Sequence, residues 1–400
     1  MLQKFNIGGF TPKEEIETRL NALRNKLKEN NVSFAVIIQN VDLFYFTGTV
    51  QKGVLVVPAE EHPLFFVEKS LYRAGMESPL DITPIKKDKD VKKILTEKKI
   101  LKGKGGMELD VVPVTLFERW KSILEYDNIV DISQLIKDIR LIKSEFELTQ
   151  IIKSGEIISS VFKKAKEIIK EGMRELDIDA ELQAESRRLG HHGYIRMRGF
   201  NQEMMNIYIT HGFSGTITSF ADVPISGVGI SPAIAQGAST NIVQRGIPVM
   251  VDFGGAYNGY ITDETRIYVI GEIKEKYKHA YDTAIEILEN IISFAKEGTN
   301  AADIYLKAEE IARREKLEEN FMGHGEGQVG FLGHGFGLEI NEFPVFTPRH
   351  NIILKEGMTF AIEPKFIFPN EGAVGVEVDY IVRKDRLQRI TDYPLEINYL

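Results

Sequence analysis

Apolar positions at Ile16, Leu20, Leu23 and Leu27 recur at intervals of three and four residues and define one face of an amphipathic helix. Its start is punctuated by Thr11 as N-cap, Pro12 in the first turn and Glu14 as the acid of a capping box. Runs rich in β-branched and aromatic residues follow at 32–39, 53–59 and 63–68. They alternate with helical patterns at 89–97 and 115–125. This alternation predicts a compact α/β domain over residues 1–140.

A second capping box, Ser144 with Glu147, opens a longer helix. Its inward face carries Leu148, Ile151, Ile152, Gly155, Ile158, Phe162, Ala165 and Ile169, and Gly172 stops it. The domain boundary is placed just before it, so that 141–400 forms the second domain. Helical patterns at 175–189, 276–295 and 301–314 are separated by β-rich segments, which predicts an α+β domain of helices and largely antiparallel strands.

The segment 249–270 contains Asn258-Gly259, the preferred two-residue type I′ turn, so its strand register can be computed. Asp252 then faces Thr265, and Asp263 lies two residues away on the same face. Either aspartate alone reads as an edge or turn residue. Two carboxylates held together in an apolar hairpin would raise each other's pKa unless a cation lay between them.

Composition narrows the chemistry. Cysteine is absent from the 400 residues, which excludes disulfides, thiolate metal sites and cysteine nucleophiles. Any metal must sit on oxygen and imidazole. Lys plus Arg number 50 against 58 for Asp plus Glu, a formal charge of −8 that gives no basic footprint for nucleic acid. No stretch has the length and apolarity of a membrane span, and the start lacks a signal-peptide pattern, so the cytoplasm is the expected compartment. The lysine-rich stretch 86–104 reads as a solvated face. Gly325 to Gly330 fits G-x-G-x-x-G but follows a helical pattern instead of a strand, so it reads as a loop.

Three further positions extend the acidic pair. His334 sits between glycines in Gly333-His334-Gly335, which lets the backbone bring its imidazole up to a site. Glu363 and Glu377 each interrupt an apolar strand pattern, where an unpaired charge is strongly disfavoured. Asp252, Asp263, His334, Glu363 and Glu377 together offer four carboxylates and an imidazole, a formal charge of −4 that matches two divalent cations. This hard donor set suits Mn²⁺, Co²⁺, Fe²⁺ or Zn²⁺, and two such ions about 3.5–4 Å apart would share a bridging hydroxide nucleophile.

In order and spacing these residues resemble the metallopeptidase family of methionine aminopeptidase, aminopeptidase P and Xaa-Pro dipeptidase, with its pita-bread fold. The two aspartates are eleven apart, His334 lies in Gly-His-Gly-Phe-Gly, Glu363 in Ile-Glu-Pro, and Glu377 follows fourteen residues later. Leu141-Ile142-Lys143-Ser144-Glu145 looks like the family's domain junction. Asn40-Val41 with Tyr45-Phe46-Thr47-Gly48 resembles the amino-terminal domain of its creatinase and prolidase branch. The resemblance implies that Asp252 binds one metal, that His334 and Glu363 bind the other, and that Asp263 and Glu377 bridge. Glu363 would also be the general base. It further implies a homodimer and a small-molecule or short-peptide substrate.

The chain departs from that pattern at three places. Gln236 stands where the branch carries a histidine before the aspartate hairpin, Asn341 where it carries another after His334, and Gly375 where an arginine is common. Neither amide can become cationic or shuttle a proton. Among His191, His192, His211 and His324, the last is the preferred substitute, and Arg196 and Arg198 are candidates for a substrate carboxylate. The expected function is a dinuclear metal-dependent exopeptidase of Xaa-Pro dipeptides or short peptides. The alternative is a metal-dependent hydrolase or lyase of the same fold acting on a non-peptide substrate.

Overall fold

A computed structural model describes residues 8–400 of the chain, which divides into two compact units at Arg140/Leu141. In the first unit, strands β1 (Phe34–Ile37), β2 (Gly53–Pro58), β3 (Leu64–Val67), β4 (Ile82–Pro84), β5 (Gly105–Met107) and β6 (Ile129–Asp131) form one mixed sheet. Their order is β4-β3-β2-β1-β5-β6. Helices α1 (Lys13–Glu29), α2 (Asn40–Thr47), α3 (Leu71–Glu77), α4 (Lys89–Glu97), α5 (Val114–Leu124) and α6 (Ser133–Arg140) alternate with the strands. Phe34, Val36, Val54 and Phe66 from the sheet pack with Leu95 of α4 and Trp120 and Leu124 of α5. This is the α/β domain read from the sequence.

The start of α1 differs from expectation. Pro12, with an extended ψ of 150°, holds the N-cap position, and its carbonyl accepts from the Ile16 amide at 3.2 Å. Proline has no side chain that can cap, and starting the helix one residue later takes Thr11 and Glu14 out of capping-box spacing. The Thr11 hydroxyl is buried with no partner among the described residues.

In the second unit α7 (Glu145–Ile168) begins with the predicted capping box: Ser144 Oγ accepts from the Glu147 amide, and the Glu147 carboxylate accepts from the Ser144 amide. α8 (Glu175–Arg188) follows, then β7 (Ile207–His211), β8 (Val249–Tyr257) and β9 (Tyr260–Val269). β8 and β9 are the predicted hairpin. Asn258 and Gly259 both have positive φ, and Asp252 pairs with Thr265 as computed. After α9 (Glu275–Phe294) and α10 (Ala301–Arg314) come β10 (Gly333–Gly335), β11 (Glu342–Val345), β12 (Thr359–Ile362), β13 (Lys365–Phe368), β14 (Gly372–Gly375), β15 (Val378–Val382), β16 (Leu387–Arg389) and β17 (Asn398–Tyr399).

These strands form an antiparallel sheet β11-β10-β12-β15-β16, a sheet β17-β9-β8-β7 and the separate hairpin β13-β14. Only the β17–β9 pairing in this unit is parallel among the described strands. One core cluster packs Ile158 and Phe162 of α7 on Val249, Val251 and Phe253. Another joins Tyr277, Ala284 and Leu288 of α9 to Phe360 and Tyr380. The result is the α+β, pita-bread class of fold. Among the described residues, no helix is long and apolar enough to cross a membrane.

Candidate metal centre

The central hairpin supplies the first two acids. Asp252 on β8 and Asp263 on β9 are diagonal neighbours across the ladder and both line one cavity of about 520 Å³. β10, held between β11 and β12, brings His334 to the same place, with Ala361 and Val345 as its ladder partners. Its Nδ1 lies 3.3 Å from the Gly335 carbonyl. A proton there leaves Nε2 free toward the acids, 3.9 Å from Glu363 Oε1 and 4.0 Å from Asp263 Oδ2. Glu363 leaves the end of β12. Glu377 stands between β14 and β15, where it bridges to Thr265, whose hydroxyl donates to Oε2 at 2.9 Å. The structure thus gathers all five residues singled out as ligands.

A further layer fixes their backbones. The Asp263 amide donates to Asp379 Oδ2 at 2.8 Å, and Arg266, fully buried, donates to the Glu377 carbonyl at 2.7 Å and to Glu264 at 2.8 Å. Burial, then the nearby Glu377 and Asp252, pushes the Asp263 carboxyl well above the usual carboxylate range. Burial likewise raises Glu377, against the pull of Lys365. Negative charge is in excess here, the condition a bound cation relieves.

Lys365 is the residue that sequence reasoning missed. Its ammonium donates to Asp252 Oδ2 at 2.9 Å, Glu363 Oε2 at 2.8 Å and Glu377 Oε2 at 3.0 Å. Burial alone would lower its pKa, but Asp252, Glu363 and Glu377 hold it well above the ordinary lysine value. The signal was present in the sequence: a lysine opening the apolar run Lys365-Phe-Ile-Phe, two residues from Glu363 and so on the same side of an extended chain. Tyr208 was missed as well. It pairs with Asp252 across β7–β8 and lines the cavity.

The charge count of −4 therefore needs correction, because the enclosed ammonium makes it −3. Donor atoms of Asp263, His334 and Glu377 lie within 4.8 Å of one another, a spacing that one divalent ion can close. Glu377 Oε1 is buried there with no hydrogen-bond partner among the described residues. On the Asp252 side the lysine takes Oδ2 of that carboxylate.

The substrate-side candidates are placed differently from expectation. Gln236 does not line the cavity; its Oε1 accepts from the Tyr208 hydroxyl at 2.7 Å and its amide donates to the Glu203 carbonyl at 3.2 Å. Asn341 does line it, but its side chain accepts from the Arg198 amide and donates to the Arg198 carbonyl, both at 2.8 Å. His324 is exposed outside the cavity with Nδ1 3.2 Å from the Glu319 carbonyl, because a 3-10 turn at Gly325–Gly327 separates its segment from β10. Arg198 is buried near Glu339, Arg196 meets the Tyr194 hydroxyl, and His191 donates to the Gly254 carbonyl. None of these three lines the cavity.

An imidazole and clustered carboxylates lining one cavity of an α+β fold form a candidate site for a divalent metal ion. The chain belongs to metallopeptidase family M24, whose model matches residues 149–384, and the creatinase/prolidase N-terminal domain matches residues 19–142. The chain is 28% identical to the Xaa-Pro dipeptidase of Pyrococcus furiosus over 96% of its own length and 100% of the relative's. It is 25% identical to the Xaa-Pro dipeptidase of Lactobacillus delbrueckii subsp. lactis, covering 95% and 98%. The solved prolidase from Pyrococcus horikoshii OT3 superimposes with a TM-score of 0.80 at 25% identity, covering 95% of this chain and 99% of the other.

Proposed function

We propose that this chain is a metal-dependent exopeptidase that hydrolyses Xaa-Pro dipeptides or the first bond of short peptides. The observation that carries this reading is the convergence of His334 Nε2, Asp263, Glu363 and the unpartnered Glu377 oxygen on one cavity floor. A divalent ion held by these residues would polarise a scissile carbonyl and acidify a water. Glu363 is the proton acceptor in this reading: Oε2 is anchored by Lys365, which leaves Oε1 on the His334 side for a water proton. Met197, Met204, Phe220, Phe331 and Ile340 give the cavity an apolar wall suited to a proline ring, and its volume suits a dipeptide. Relatives named Xaa-Pro dipeptidase support the substrate class. A first-row ion such as manganese, which suits this donor set, and a homodimer, which the family resemblance implies, complete the proposal.

The second reading, a non-peptide amide or lyase substrate, is favoured by Gln236 and Asn341, both engaged with protein partners. The two readings part on a panel of Xaa-Pro and Xaa-Ala dipeptides assayed with the metal-loaded protein and with Asp263→Asn. Xaa-Pro turnover that drops at least about 100-fold in the variant is expected. Protein that carries metal and cleaves neither these dipeptides nor the first bond of an Xaa-Pro-Ala tripeptide would overturn the peptidase reading.

A further inference from the structure

Lys365 opens β13, and its ladder partner on β14 is Gly375. A Cβ at Gly375 would lie 2.7 Å from Lys365 Cγ and 2.8 Å from its Cα, closer than carbon atoms pack, so the lysine stem has its path only over a glycine. The side chain is 4% exposed, and its nitrogen reaches three carboxylates on three separate segments of chain, which uses all three N–H donors of an ammonium. This is a built binding mode for a fixed positive charge.

The carboxylates divide their oxygens accordingly. Glu363 gives Oε2 to Lys365 and turns Oε1 to His334; Glu377 gives Oε2 to Lys365 and keeps Oε1 buried and unpartnered. Asp252 Oδ2 goes to the lysine. A divalent ion taking the oxygens of the Asp252 side would meet the ammonium at contact distance, where like charges repel in a site of low dielectric. Glu363 Oε1 and Glu377 Oε1 carry no bond to the ammonium, and an ion on the His334 side would take these oxygens, with a carboxylate between it and the lysine.

We propose that Lys365 is a built-in cation standing in for one of two metal ions, so that the site binds a single divalent ion, on Asp263, His334, Glu363 and Glu377. This deepens the metal-dependent reading above and rests on it only for the presence of a metal.

The test counts ions without assaying activity. Chelator-stripped full-length protein is loaded with excess MnCl₂ or CoCl₂ and desalted, and metal per chain is measured by mass spectrometry. The parent should retain one ion per chain, Lys365→Gly two, and His334→Ala less than one. Stripped Lys365→Gly should also unfold at lower temperature than the stripped parent and recover with Mn²⁺, because its four acids then lack a counter-charge. If that variant folds only with metal, Lys365→Met prepared in Mn²⁺ takes its place with the same expected count. Two ions in the parent, none in the parent, or one in both lysine variants overturns the proposal. Dipeptide assays on the same samples separate the two readings: one ion without Xaa-Pro cleavage defeats the peptidase reading alone, and two ions with cleavage defeats this proposal alone.

Discussion

Glu108 shows at single-residue scale what a buried charge does without a cation beside it. Its Oε1 accepts the amides of Ile38 and Gln39 at 3.0 and 3.2 Å, while Oε2 has no partner among the described residues. Burial, then Asp42, raises its pKa to about 8. A carboxyl with a folded pKa above its unfolded value favours the folded state when protonated. The first unit should therefore lose stability as pH rises from about 4.5 to about 8 and change little beyond, by on the order of a few kcal/mol. Trp120, the chain's single tryptophan, is buried in that unit and reports its unfolding separately. In thermal or urea unfolding followed by its fluorescence, Glu108→Gln should gain on the parent steadily between pH 5 and pH 8; equal pH slopes in the two proteins would contradict this. At the metal centre, the acids and His334 were legible because each breaks a local pattern, and the hairpin register put two of them on one face. Lys365 breaks its pattern equally, but a search for anionic ligands passes over a cation. His324 failed for another reason: ten residues of loop sequence carry no information about distance.

At the scale of elements, local chemistry was legible wherever it is self-contained. The Asn258-Gly259 turn and the Ser144–Glu147 capping box need only their own neighbours, and both form as read. Near Thr11 two signals competed, and Pro12 takes the N-cap position with an extended ψ of 150°. Asn341 illustrates what no local pattern reveals. Its amide closes on both backbone groups of Arg198, 143 positions away, and together with the Ile340 amide on the Arg196 carbonyl it ties the segment bearing Met197 to the cavity. Asn341→Ala should thus loosen the wall and leave the reacting groups in place. The expected result is a KM for a dipeptide raised about 10-fold with kcat within about 3-fold, and faster amide hydrogen exchange at Arg198. A collapse of kcat at unchanged KM would instead assign Asn341 to the chemistry.

At the scale of the whole molecule, two units with separate cores carry the creatinase-like and M24 parts of the family; the alternation of elements in the first and the antiparallel pattern in the second were enough to set their α/β and α+β classes, while the pita-bread fold was legible only through the family resemblance. The site was legible as a set of residues, whereas its charge balance was not, because that depends on which side chain a separate hairpin, β13–β14, delivers into it. Metal-dependent peptide hydrolysis and a site that holds one divalent ion beside a fixed ammonium are separate proposals. Activity titration tests both together. Stripped protein at a concentration well above the metal dissociation constant receives Mn²⁺ or Co²⁺ in fractional equivalents, and Xaa-Pro hydrolysis is followed at each step. The expected result is a linear rise that breaks to a plateau at one equivalent per chain; a plateau only at two equivalents would contradict the single-ion site, and no hydrolysis at any ratio the peptidase reading.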